Sequence, residues 1–333
     1  MAQGWVAALA ICAAAAAQTA VPSAAELWKQ HMDLGRTLAS GGHLSEAQDQ
    51  FQLALRAAGP KDARGFAARM ELGTLAAAMG QYVDAEQWDN QAVRSGEALY
   101  GKDSPELALP FSNLAALYRD QGDSGRAEEF GRRALGLIVD PATAPPATRA
   151  HVLGTLGGIL YLSGKLPESE THLQESIRIA RALPPPSEIL AGDLNNLAGV
   201  YAGTGRLGEA LDTYREADGL CQKTGGATDP CHFFIQAGMA AVHAASGQYT
   251  DAVSAIESGI RAAEAGGASN TLQLRDALSA EAVWLHKLKR EAEAKRVRAK
   301  ARQVAQAAAL NSPDSRYTLD ARQVAKSIQK APQ

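Results

Sequence analysis

The chain has little that points to chemistry. Aromatic residues make up 5% of its 333 residues, and there are only three cysteines. It contains no His-Glu-x-x-His metal motif, no Gly-rich phosphate loop ending in Lys-Ser/Thr, and no Gly-x-Ser-x-Gly nucleophile turn. The seven histidines are scattered (His31, His43, His151, His172, His232, His243, His286), so they give no metal-ligand spacing. Charge of one sign is also lacking: 33 basic against 36 acidic side chains leave a net charge of −3, without the basic excess of a nucleic-acid binder. Neither a cofactor nor a metal is expected, and the chain reads as a non-enzyme.

The first 25 residues lack any charged side chain. An apolar run from Gly4 to Ala17 ends in Ala15-Ala16-Ala17, a small-residue processing site. The run is shorter than the ~20 residues a spanning helix needs. It therefore reads as a secretory signal over residues 1–20, cleaved after Ala17 or Ala20, although no Lys or Arg precedes the run. The mature form would then be periplasmic or secreted, with no integral membrane segment. If the N-terminus is retained, the run is an apolar helix on a cytoplasmic protein. Cys12 departs with the signal. Cys221 and Cys231 remain, flanking the helix-breaking stretch Gln222–Pro230, and in an oxidising compartment they favour a disulfide.

What the chain does have is a repeat. A small residue, a hydrophobic residue, a glycine, an aromatic or Leu, and an Ala recur in fixed order. The glycines are Gly42, Gly80, Gly122, Gly164, Gly205 and Gly247, and Lys289 takes the seventh place; the steps are 38, 42, 42, 41, 42 and 42 residues. Such a period is the signature of stacked helical hairpins sharing one core. In each, the glycine ends the first helix by adopting positive φ. The small residue seven positions earlier (Gly35, Gly73, Ala115, Gly157, Ala198, Ala240, Ala282) lets the two helices touch. Gly59-Pro60, Asp140-Pro141, Pro184-Pro185-Pro186 and Gly266-Gly267 break the chain between hairpins, never within one. Ser104-Pro105-Glu106 and Pro186-Ser187-Glu188 read as helix starts.

This pattern resembles the tetratricopeptide repeat (TPR). The segments Ser112-Asn-Leu-Ala-Ala-Leu-Tyr118 and Asn195-Asn-Leu-Ala-Gly-Val-Tyr201 resemble its kinesin-light-chain-type subclass of about 42 residues. Departures are Ser169 and Ser176 in place of Ala, Asp89 and Gly131 in place of bulky residues, and the seventh turn. The resemblance implies an all-α, right-handed α-solenoid of about seven hairpins over residues 25–305, then a polar capping helix or tail over 306–333. It also implies a concave groove, lined by the first helix of each hairpin, that binds a protein or peptide. Helical phase places Arg36, Met70, Asn113, Arg119, His151, Tyr161, Asn195 and Asn196 on that lining. Asn113 and Asn196 precede the Leu–Ala pair, where the family uses Asn to contact peptide backbone.

Small residues on the same lining (Ala67, Gly154, Gly158, Gly199, Ala202, Ala237, Ala241) fit either room for a ligand or tight helix packing. The basic stretch His286–Arg302 reads as the solvated face of a terminal helix, with docking of an acidic partner or anionic surface as the alternative. Two functional readings follow: an exported scaffold, or a cytosolic regulatory module acting on a signalling enzyme or receptor.

Overall fold

The structure is a computed structural model that describes residues 22–59, 62–140, 142–184, 188–224, 230–267 and 271–311. Among them it contains fourteen α-helices and no strand. The helices pair into seven hairpins, giving an α-solenoid of helix–turn–helix units. These are α1 (Ala24–Ser40) with α2 (Leu44–Ala57), α3 (Ala63–Ala78) with α4 (Tyr82–Tyr100), α5 (Ala108–Asp120) with α6 (Ser124–Gly136), and α7 (Pro146–Leu162) with α8 (Leu166–Arg181). They continue with α9 (Glu188–Gly203) and α10 (Leu207–Thr224), α11 (Pro230–Ala245) and α12 (Tyr249–Ala265), and α13 (Leu272–Lys287) and α14 (Glu291–Asn311). Residues 1–21, with the segment expected to be a signal, and residues 312–333 lie outside the described residues.

All seven turns close in the same way. The turn residue has φ between 61° and 81° at Gly42, Gly80, Gly122, Gly164, Gly205, Gly247 and Lys289. The next residue's N–H then reaches back five residues: His43 to Leu38, Gln81 to Ala76, Asp123 to Tyr118, Lys165 to Leu160, Arg206 to Tyr201, Gln248 to His243 and Arg290 to Leu285, each at 2.9 Å. This is the Schellman closure, which satisfies carbonyls that the helix end would leave bare. The seventh hairpin makes it without a glycine: Lys289 takes φ 61°, in the left-handed region that costs an L-residue about 1–2 kcal/mol.

The contact between the two helices of a hairpin also follows the sequence. A Cβ on Gly35 would sit 2.5 Å from the Phe51 ring, and one on Gly157 would sit 2.7 Å from Leu173 Cγ. Gly73 faces the carboxylate of Asp89, which is 1% exposed. Ala115, Ala198, Ala240 and Ala282, at the same place in other hairpins, are buried. Helix starts are capped locally, by a reciprocal Ser23–Glu26 capping box on α1 and by Asp62, Asp123 and Thr271 on α3, α6 and α13. Ser104-Pro105-Glu106 opens a 3-10 turn, Pro105–Leu107, that leads into α5. Ser187 lies outside the described residues.

Two compact units divide the chain, residues 1–99 and 100–333. The first has its own core of Met32, Ala47, Phe51, Ala54, Ala68, Leu72 and Leu75, with Trp28 and Trp88 packed on it. In the second, hairpins stack in order: α5, α7, α9 and α11 each pack on the next, and each second helix from α6 onward packs on the first helix of the following hairpin. Helix α14 runs without a break past residue 305 to Asn311, so the last helix of the repeat array absorbs the start of the segment expected as a separate cap.

Candidate functional site

The first helices of the second unit meet through glycine bays. On the seam between α7 and α9, three side chains each seat over a glycine of the neighbouring helix. The Asp193 carboxylate lies over Gly154, Asn196 Nδ2 lies 3.0 Å from where a Gly158 Cβ would stand, and the Tyr161 hydroxyl lies 2.5 Å from that position at Gly199. At the next seam the Tyr214 ring of α10 covers Gly238 of α11. Gly154, Gly158 and Gly199 therefore belong to tight helix packing, since the chain's own side chains fill the space that the missing Cβ atoms leave. Burial raises the Tyr161 phenol to about 12 and holds Tyr214 well above the usual range.

The candidate groove residues fall in both units. In the first, Arg36 on α1 pairs with Glu71 on α3 at 2.8 Å, and Met70 is half-buried on α3. In the second, Asn113 is half-buried on α5, and Arg119 at the end of α5 pairs with Asp120 at 2.8 Å. His151 on α7 is held below the usual imidazole range, first by burial and then by the Arg119 charge, so it is neutral at pH 7. Asn195 and Asn196 are half-buried on α9. The structure thus gathers Asn113, Arg119, His151, Tyr161, Asn195 and Asn196 on three consecutive packed helices. A pocket of about 360 Å³ between α8, α9 and α10 is lined by none of these residues. Its rim cations are already engaged, Arg178 with Glu175 and Arg181 with Glu216, each at 2.7 Å.

Several polar contacts were not legible in the sequence. Ion pairs recur at separations of 36–37 residues, somewhat short of one repeat: Arg132 with Glu168, Lys165 with Glu128, Arg206 with Glu170, and Lys300 with Glu264, all at 2.6–2.7 Å. Glu128 bridges Lys165 and Arg132, and both hold its carboxyl below the usual range. Arg126 stacks over Tyr118 at 4.1 Å, and Arg206 stacks over Tyr201 at 4.0 Å.

Another network joins α10, α11 and α12. His232 Nδ1 lies 2.5 Å from Asp218 Oδ1, and His232 Nε2 lies 3.3 Å from Ser258 Oγ. Gln222 and Gln236 also donate to Asp218. The order serine–histidine–aspartate is that of an acyl-transfer triad. However, Ser258 sits inside α12, where helix bonds occupy the nearby N–H groups, and His232 is only 6% exposed. Without free donors at the serine there is no oxyanion site, so the network serves to tie three helices together. Beside it the structure joins Cys221 on α10 to Cys231 on α11, with their Cα atoms 6.2 Å apart.

No cluster of three or more His, Cys, Asp or Glu side chains suits a metal ion among the described residues. Nor, among them, is any helix long and apolar enough to cross a membrane. In the basic stretch, Arg290, just before the terminal helix, and Lys300 within it are paired with acids, whereas Lys295, Arg298 and Arg302 face solvent.

Solved structures with the same fold have low sequence identity. RapI in its apo form aligns with a TM-score of 0.61 at 12% identity, over 84% of this chain and 98% of its own. A Rap protein complexed with Competence and Sporulation Factor aligns at 0.60 and 12% identity, over 89% of this chain and 79% of its own. BtubC (BKLC) from P. vanneervenii aligns at 0.56 and 17% identity, over 73% and 97%. No curated protein matches the sequence. A tetratricopeptide-repeat family matches residues 66–137, and the family described as the MalT-like TPR region matches residues 112–329. With seven hairpins closed by one turn geometry and a family match over most of its length, the chain belongs to the tetratricopeptide repeat proteins, in the MalT-like TPR region family.

Proposed function

We propose that this protein is an exported, non-enzymatic scaffold that holds a protein or peptide along the first helices of its hairpins. The observation that carries the reading is the run α5, α7, α9, each packed on the next, with half-buried amides at Asn113, Asn195 and Asn196 along it. An amide side chain offers both a donor and an acceptor, which matches the backbone of an extended peptide. The Rap protein solved with Competence and Sporulation Factor is an instance of this fold holding a partner. Among the described residues, no three His, Cys, Asp or Glu side chains converge to hold a metal ion, and the His232–Asp218–Ser258 network sits inside packed helices.

Export is supported by the uncharged N-terminal run and by the Cys221–Cys231 pair, whose Cα separation of 6.2 Å lies within the bridging range. The two parts of the reading are tested separately. Mass spectrometry of the protein from its native cells should find a new N-terminus after Ala17 or Ala20 and no titratable thiol. An intact Met1 with three reactive thiols, Cys12, Cys221 and Cys231, would remove export and leave the groove reading standing as a cytosolic module.

A further inference from the structure

We propose that Asp193 is carried as a neutral carboxylic acid at the seam between the fourth and fifth hairpins, and that losing its proton loosens that seam. The argument is a proton count. Ser176 Oγ, on α8, lies 2.7 Å from the Ala150 carbonyl oxygen of α7 and 2.5 Å from Asp193 Oδ2 of α9. A serine hydroxyl carries one proton. If Asp193 is ionised, three oxygens share that proton and one of the two close contacts has none. If Asp193 is protonated, its O–H donates to Ser176 Oγ, and Ser176 donates to the Ala150 carbonyl. Two contacts then have two protons, and the chain runs from α9 through α8 to α7.

The surroundings favour the same state. Asp193 is 5% exposed and sits over Gly154, where no Cβ keeps the helices apart. Burial pushes its carboxyl up to about 7, offset only in part by Ser176. No charged side chain on α7, α8, α10 or α11 offsets that burial; His151, one turn away on α7, faces the Arg119 charge instead. Asn196 over Gly158 and Tyr161 over Gly199 lie on the same seam, so a change at Asp193 reaches two of the candidate groove residues. The proposal does not depend on what the groove holds.

The sign follows from the folded carboxyl titrating above its unfolded value of 3.8. Its contribution is full below about pH 4, falls as the unfolded chain ionises, and is lost once pH has risen through about 7. The test is urea unfolding of the full chain, wild type against Asp193→Asn, from about pH 4.5 to about pH 8.5. The amide keeps the donor and the shape but cannot titrate. Glu281 also titrates near 7, raised by burial and then by Glu257, so the ratio between the two proteins is the readout. The folding constant of wild type relative to the variant should drop roughly a hundred- to a thousandfold across the range; a constant ratio overturns the proposal. Should Asp193→Asn fail to fold, infrared spectra of aspartate-labelled wild type serve instead. A protonated carboxyl band at about pH 5.5, where ordinary aspartates are ionised, should shift in Ser176→Ala and vanish at about pH 8.5. If no such band is present, or if Ser176→Ala leaves it unshifted, the proposal fails.

Discussion

Single residues set the turns, and there the outcome depends on backbone conformation alone. Around Gly205, φ is 81° and no atom lies within 4 Å of an added Cβ, so a substitution meets strain without any collision. Gly205→Val should cost about 2 kcal/mol or more, because a β-branched residue tolerates positive φ poorly. Gly205→Asn should cost less than about 1 kcal/mol, since Asn visits this region. Lys289→Gly runs the other way and should gain about 0.5–1 kcal/mol by relieving φ 61°. Urea midpoints of the three variants check the ordering; Val and Asn costing the same would mean that strain is not what the glycine avoids. The positions of these turns are legible in the sequence because glycine is the residue that takes positive φ freely. That Lys289 takes it too follows only from its register and from the Arg290-to-Leu285 bond.

At the scale of the hairpin, stability comes from close helix contact at glycine and alanine. Gly35 and Phe51 show the coupling most directly, with a Gly35 Cβ falling 2.5 Å from the ring. Gly35→Ala should cost about 1–3 kcal/mol by overpacking. Phe51→Leu alone opens a cavity, yet combined with Gly35→Ala it should recover part of both losses, giving a non-additive double-mutant cycle on thermal unfolding. Simple additivity would mean that the two residues do not share one contact. The existence of this contact is legible from the repeat, because the small residue and the bulky one recur in phase. The seam contacts are not: Asp193 over Gly154 and Asn196 over Gly158 join positions almost a full repeat apart, and no local pattern says which side chain fills a bay. The same holds for Arg132 with Glu168 and Arg206 with Glu170, pairs whose partly exposed groups contribute about 0–1 kcal/mol each. They fix register between hairpins more than they stabilise any one of them.

Across the whole molecule, the array is a surface built from units that cannot bury their own faces. Its core is spread along the repeat, from the Phe51 cluster in the first unit to the Leu274 and Leu278 cluster at the C-terminal hairpin. The buried carboxyls of Asp193 and Glu281 lie apart on different hairpins, each held in its own helix seam. On the proposed reading, function rests on what the first helices present, with Asn113, Asn195 and Asn196 as the candidate contacts for a polypeptide. The measurement that reaches this claim most directly is affinity capture of the mature protein with mass spectrometry of what it retains, run beside an Asn113→Ala/Asn196→Ala variant that unfolds at the same urea concentration. A discrete polypeptide held by the native protein and lost, or weakened at least about tenfold, in the variant is the predicted result. Capture of nothing above background, or equal capture by both proteins, contradicts it.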